Sequence, residues 1–206
     1  LGEDEIPFGT NLLFCCEELP ELVLGCEICE DLWVADPPST SHALAGATVI
    51  ANLSASNETV SKDAYRELLV KSASARLLCG YIYTSAGEGE STQDLVFGGH
   101  NLIAENGTLL AQSSRFATGI LYTDLDVLKI SSERRRMGTF GKQSAASYCK
   151  IPFSMELAET RLERKFAAHP FVPEDSALRN RRCEDILSIQ AYGLKKRYEL
   201  IGGKTA

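Results

Sequence analysis

Apolar residues along this chain gather first in short runs and later at helical spacing. Leu22-Val23-Leu24-Gly25-Cys26-Glu27-Ile28-Cys29 is a brief apolar run that predicts a buried strand. Pro37-Pro38-Ser39, in the polar stretch behind it, predicts a loop. Ala47-Thr48-Val49-Ile50-Ala51-Asn52-Leu53 predicts a second strand, apolar on both faces as in a covered sheet. From Ser61 to Leu78 the period becomes helical. Tyr65, Leu68, Leu69, Ser72, Ala73 and Leu77 fall near one face, with Lys and Arg opposite. Ser61 reads as the N-cap, and Asp63 suits the positive end of the helix dipole. Cys79-Gly80-Tyr81-Ile82-Tyr83-Thr84 is the next strand. Strand, loop, strand, helix, strand is the order of an α/β layered domain.

Hairpin chemistry follows. Asn106-Gly107 separates Asn101-Leu102-Ile103-Ala104 from Thr108-Leu109-Leu110-Ala111, a two-residue turn between apolar runs. Ile120-Leu121-Tyr122-Thr123-Asp124-Leu125 predicts a further strand, and an Arg-rich helix begins at Asp126. The character changes beyond residue 150. The prolines of His169-Pro170-Phe171-Val172-Pro173 predict extended backbone. Ser176 to Leu200 then reads as one long helix with Leu178, Cys183, Ile186, Leu187, Ile189 and Leu194 on its apolar side. This gives a first domain over 1–150 and helical linker structure over 151–206.

Composition narrows the partners. The 206 residues suffice for one domain with a sizeable core, or one domain plus an appendage. A net charge of −7 argues against nucleic-acid or anionic-membrane binding, and Arg134-Arg135-Arg136 is too short to reverse that; it reads as a solvated or anion-pairing helix face. No apolar stretch is long enough for a membrane helix, and the acidic start Leu1-Gly2-Glu3-Asp4-Glu5 is unlike a signal peptide. Seven scattered cysteines suit a reducing cytoplasm, where the three Asn-x-Ser/Thr sequons stay unglycosylated. The missing initiator Met, and the ending at Gly202-Gly203-Lys204-Thr205-Ala206, raise the expectation of a chain cut at both ends.

Among chemistry-bearing residues Cys29 stands out, because it lies where an apolar strand leaves the sheet into Glu30-Asp31-Leu32-Trp33. Ligands of open α/β sheets bind beyond the carboxyl ends of strands. From position alone the plainer reading of Cys29 is that it is one of seven buried thiols. Cys26-x-x-Cys29 lacks a second ligand pair, and strand residues three apart face opposite ways, so no metal is expected. Ser54 and Ser56 reach the same rim as Cys29 if the two strands run parallel; ordinary turn chemistry explains them as well. Lys62 opens the helix and suits a carboxylate, or plain solvent. Gly203-Lys204-Thr205 fails the phosphate-loop pattern, since Tyr198 stands where glycine is needed.

The segment Cys26-Glu27-Ile28-Cys29-Glu30-Asp31-Leu32-Trp33-Val34 resembles the nucleophile strand and turn of the nitrilase-superfamily glutaminase domains of glutamine-dependent NAD synthetases. The likeness continues through Asn52-Leu53-Ser54-Ala55-Ser56, Gly87-Glu88-Gly89-Glu90-Ser91-Thr92, Glu105-Asn106-Gly107, Ser132 to Phe140, and His169-Pro170-Phe171-Val172-Pro173. It implies part of an αββα sandwich followed by a helical linker, and a Glu–Lys–Cys triad. By resemblance Cys29 is the nucleophile that attacks the side-chain amide of L-glutamine, while Glu30 and Ser56 match positions that contact glutamine. Lys62 falls where relatives carry a basic residue.

The family's triad Glu and Lys precede the cysteine strand, and the likeness begins past them; no residue before Cys29 is a lysine. The expectation is therefore that this polypeptide alone has neither glutaminase nor synthetase activity. The resemblance further implies a synthetase domain of the same parent chain, which binds ATP and magnesium, no cofactor in this fragment, and homo-oligomerisation. A standalone nitrilase-superfamily amidase is one alternative; an inactive structural or oligomerisation fragment is another.

Overall fold

The computed structural model of the chain describes residues 6–90, 94–141, 145–166, 168–169 and 171–203. Ser91 and Thr92 of the acidic motif, Pro170, and Lys204 to Ala206 lie outside them. The chain divides into two compact units, residues 1–164 and 165–206.

The first unit holds strands β1 (Leu12–Cys16), β2 (Val23–Ile28), β3 (Val49–Ser54), β4 (Gly80–Ser85), β5 (Leu102–Glu105), β6 (Thr108–Gln112) and β7 (Cys149–Phe153). Its helices are α1 (Pro38–Ala45), α2 (Lys62–Leu77) and α3 (Val127–Arg136). The strands form one sheet in the order β6-β5-β4-β3-β2-β1-β7. At its centre β2, β3 and β4 run parallel, in a register that pairs Glu27 with Asn52 and Asn52 with Tyr83. The flanks turn antiparallel at β1 and β5.

The α/β expectation holds, with corrections at the edges. Strands β1 and β7 were not anticipated; they pair with each other in parallel, so β7 straddles residue 150. Pro37-Pro38 does not make a loop. Pro38 is the first residue of α1, where proline's missing N–H and fixed φ are harmless. Ile120–Leu125 forms no strand: its chain runs beside Ile82 and Ile103 across a cleft of about 280 Å³, and Leu125 packs against Gly80. Asn106 (φ 46) and Gly107 (φ 83) make the expected β5–β6 turn, both in the left-handed region that a primed hairpin turn needs.

Helix α2 starts and stops as predicted but is rotated about its axis. Tyr65 and Leu68 are exposed, and the buried stripe is Arg66, Val70, Ala73, Ser74 and Leu77. Ser61 stands at the cap position without a side-chain bond to the helix. Helix α3 is capped by Asp126, which accepts from the Lys129 amide at 2.8 Å. Arg134 is not a solvated charge. Its guanidinium donates to the carbonyls of Leu77 (2.9 Å), Leu78 (2.9 Å) and Ala43 (3.4 Å), closing the open ends of α2 and α1.

The sheet is covered on one face by α1 and α2. Toward them point Gly25, Glu27, Ile50, Asn52, Tyr81 and Tyr83, all buried. On the opposite face Cys26, Ile28, Leu53 and Thr84 are exposed, so burial on both faces is not met within this unit. In the second unit, α4 (Ser176–Leu200) forms as expected, capped by Asp175 on the Leu178 amide (2.7 Å), with Leu178, Ile186, Leu187, Ile189 and Leu194 exposed along it. Val172 bonds back to the His169 carbonyl (3.0 Å), a turn where extended backbone was predicted. Among the described residues no helix is long and apolar enough to cross a membrane.

Close packing of α1 on β2 rests on Gly25, where an added Cβ would stand 3.0 Å from the His42 Cβ. His42 is buried, with Nε2 3.0 Å from the Cys26 carbonyl and Nδ1 2.9 Å from the Tyr148 hydroxyl. A carbonyl only accepts, so Nε2 carries the proton and the hydroxyl donates to Nδ1. Burial pushes the pKa of His42 below its ordinary value, and burial beside Arg66 does the same to His100. As pH falls through the ordinary imidazole value of about 6.5, the unfolded chain therefore takes up protons before the folded one. Stability is full above that pH and is lost below it. The denaturant midpoint is expected to fall between about pH 7.5 and pH 5.5, and to fall less in His42→Gln than in the unaltered chain.

Candidate active site

Strand β2 ends at Ile28, and the chain leaves the sheet through Cys29, the first residue of a short 3-10 turn, Cys29–Leu32. Cys29 has φ 48, a left-handed conformation that disfavours an L-residue by roughly 1–2 kcal/mol. Side chains hold the turn on both sides. Asp31 Oδ2 accepts from the Ile28 amide at 2.7 Å, and Asn52 Oδ1 accepts from the Cys29 amide at 3.2 Å. The Asn52 Nδ2 lies 3.5 Å from the Cys29 carbonyl, 3.3 Å from the Tyr81 hydroxyl and 3.5 Å from Glu27 Oε1.

Glu27 is a carboxylate inside the sheet, 2% exposed. One oxygen accepts a short bond from the Tyr81 hydroxyl, and the other accepts from the Ser39 amide at 2.9 Å. Burial, and then the Glu27 charge, push the Tyr81 pKa upward, so the phenol stays a donor.

In front of the turn lies an open cleft of about 450 Å³, lined by Cys29, Leu53, Ser54, Ser85, Ala86 and Glu90 among others. It sits at the carboxyl ends of the parallel strands β2, β3 and β4. Its floor is polar beneath the surface. Ser54 Oγ is 2.6 Å from the Tyr83 hydroxyl, and the Arg66 guanidinium stands 5.9 Å from the Tyr83 ring. Arg66 is fully buried and donates to Glu58 Oε2 (3.1 Å) and His100 Nδ1 (2.9 Å). A larger cleft of about 520 Å³ between the ends of α1 and α3, lined by Leu44, Arg135, Met137 and Phe140 among others, offers no thiol, hydroxyl or carboxylate side chain. Among the described residues no group of three or more His, Cys, Asp or Glu is placed to hold a metal ion.

The four residues singled out from sequence are placed differently from one another. Cys29 is half-buried and lines the cleft. Glu30 is exposed on the turn, and its carbonyl accepts from the Trp33 amide at 2.8 Å. Ser56 is buried beyond the end of β3. Lys62 is engaged in its own loop, donating to the Asn57 carbonyl (2.8 Å) and side chain (2.9 Å) with its ammonium 5.2 Å from the Trp33 ring. The parallel pairing of β2 and β3 brings Ser54 to Cys29, as anticipated; Glu30, Ser56 and Lys62 are not among the residues that form the cleft wall. Sequence reading assigned no role to Asn52, Glu27, Tyr81, Tyr83 or Arg66. A charged Glu27 within an apolar strand was the one signal that pointed to the buried network.

A carbon-nitrogen hydrolase family profile matches residues 3–135, from ahead of β1 to the last turn of α3. Glutamine-dependent NAD(+) synthetases from Mycobacterium tuberculosis and Mycobacterium leprae are each 44% identical to this chain over 207 aligned residues, covering 96% of it. The chain spans 30% of the length of these relatives. A crystal structure of a glutamine-dependent NAD(+) synthetase from Cytophaga hutchinsonii matches 47% of this chain and 15% of its own, at 33% identity and a TM-score of 0.40.

The Arg66–Glu58 pair gives a test of the cleft floor. Breaking a buried ion pair from one side strands the other charge, at about 3–5 kcal/mol, whereas replacing both partners costs much less. Glu58→Leu is expected to lower unfolding stability by about that amount, and Arg66→Met with Glu58→Leu to recover part of the loss, measured by chemical denaturation.

Proposed function

From the premise that this chain belongs to the carbon-nitrogen hydrolase family, we propose that Cys29 is the nucleophile of the glutaminase site of a glutamine-dependent NAD synthetase. One observation carries the reading. Cys29 alone among the seven cysteines stands in a left-handed turn and lines a cleft at the carboxyl ends of three parallel strands. The 44% identity to the mycobacterial enzymes along nearly the whole chain supports the glutamine-dependent synthetase within the wider family.

The chemistry follows from a thiolate facing a carboxamide. The sulfur attacks the side-chain carbonyl carbon of L-glutamine, and the electron pair moves onto oxygen. A general acid protonates the amide nitrogen, collapse expels it as ammonia, and a γ-glutamyl thioester remains. Water activated by the same group acting as base hydrolyses the thioester to glutamate and restores the thiol. On this reading the triad Glu and Lys come from outside this chain. Glu30, Ser56 and Lys62 contact the glutamine, which requires Lys62 to leave Asn57. The exposed sheet face around Ile28 and Leu53 supports a second sheet stacked there, as an αββα sandwich has. ATP and magnesium belong to the synthetase domain, which uses the ammonia to amidate nicotinic acid adenine dinucleotide. A cytoplasmic homo-oligomer accompanies this reading.

In the full-length parent, a chloroketone analogue of L-glutamine is expected to alkylate Cys29. Cys29→Ser is expected to lower glutamine hydrolysis by at least about 10³-fold while NAD formation from free ammonia continues. Purified 1–206 is expected to release no ammonia from glutamine. Labelling that misses Cys29 in the parent overturns the assignment; turnover by 1–206 alone overturns the expectation that this polypeptide is inactive by itself.

A further inference from the structure

We infer that Asn52 is the positioning residue of the nucleophile turn, holding Cys29 in its left-handed conformation, and that buried Glu27 dictates which way the Asn52 amide faces. The inference rests on Cys29 being the nucleophile only for its catalytic meaning; its geometry stands by itself.

A side-chain amide has two ends of nearly equal shape and opposite polarity. The Cys29 N–H, 3.2 Å from Asn52, needs the oxygen end. That orientation turns the NH2 end to the Glu27 carboxylate and the Tyr81 oxygen, and to the Cys29 carbonyl. Flipping the amide would set its oxygen against the carboxylate and its N–H against the Cys29 N–H. Both contacts repel, and burial among Ile50, Tyr81 and Tyr83 leaves little solvent to soften them. Tyr81 donates to Glu27, so the phenol's lone pairs are free to accept from Asn52. The Ser39 amide, in the first turn of α1, fixes the other Glu27 oxygen. A chain of bonds thus runs from the start of α1 through Glu27 and Asn52 to the peptide groups of Cys29.

Two consequences follow for the reaction. Without the splint, Cys29 relaxes from φ 48 toward the ordinary negative range, a rotation of roughly 110° that swings the thiol off the cleft. In addition, the Cys29 N–H is spent on Asn52, so the oxyanion must be stabilised by other donors.

The test uses isotope-labelled 1–206. Asn52→Leu keeps the volume and removes the bonds; Asn52→Ser is polar but too short to reach the turn. In the unaltered chain, backbone couplings and chemical shifts should report a left-handed Cys29 with a slowly exchanging amide. In both variants the Cys29 amide should exchange at least tenfold faster and its φ signature should turn negative. Alkylation of Cys29 by iodoacetamide should fall at least fivefold relative to the exposed Cys183, while Ile50 and Tyr81 amides keep their protection. Glu27→Gln should accelerate Cys29 exchange at least threefold. A left-handed Cys29 with a protected amide in both Asn52 variants overturns the inference. So does global unfolding of both, which would make Asn52 a general core residue. An unchanged Cys29 amide in Glu27→Gln removes Glu27 from the assignment. None of these readouts requires glutamine, so a failure here is distinct from an unlabelled Cys29 in the parent.

Discussion

The parallel register of β2 against β3 is the constraint on which the candidate site depends. It sets Glu27 beside Asn52 and carries both strands to the same rim, so that the residue leaving β2 meets the side chain of β3 that bonds its backbone. A slip of β2 by one residue would turn Ile28 toward α1 and α2 and expel Glu27 to the open face, away from Asn52. Register is therefore set from both ends: by the apolar face beneath the helices, and by a polar pair that finds its bonds in one alignment only.

Two buried carboxylates lie behind the cleft, and they are stabilised in different ways. Glu58 has a full cation, Arg66, at 3.1 Å. Glu27 has dipoles: the Tyr81 hydroxyl, the Ser39 amide and the Asn52 NH2. An ion pair makes the surroundings of Glu58 intolerant of one-sided change. A ring of oriented dipoles makes Glu27 directional, because each partner must point one way. The first arrangement ties α2 to the loop that precedes it, beside Tyr83. The second sets the orientation of a turn.

Most of the central sheet was legible in the sequence, because short apolar runs and the Asn106-Gly107 turn carry local signals that nothing distant overrides. Helix α2 was legible in extent but not in rotation. Its period placed Tyr65 and Leu68 inside, whereas Arg66 is buried by partners from Glu58 and His100, whose positions no helical pattern encodes. Strand β1 carries a short apolar run of its own, Leu12 to Cys16, whereas β7 holds a lysine and a proline and pairs with β1 across more than 130 residues, so its sequence has no strong signature. At the site, the position of Cys29 at the strand end was readable. The role of Asn52 was not, since its meaning arises only when β3 lies beside β2. Lys62 opens its helix as its position predicts, while its bond to Asn57 depends on the course of the loop before α2, which no helical pattern encodes.

Arg134 ties together more of the chain than its place in a basic run suggests. One guanidinium, held on α3, satisfies carbonyls at the C-terminal ends of both α1 and α2. Helix ends ordinarily fray one at a time, each at little cost. Here, loosening α3 withdraws a side-chain donor from the other two helices at once, leaving Ala43 only its bond from the Gly46 amide. One side chain thus couples the opening of three helix ends on the covered side of the sheet, the layer that lies over Glu27 and Asn52.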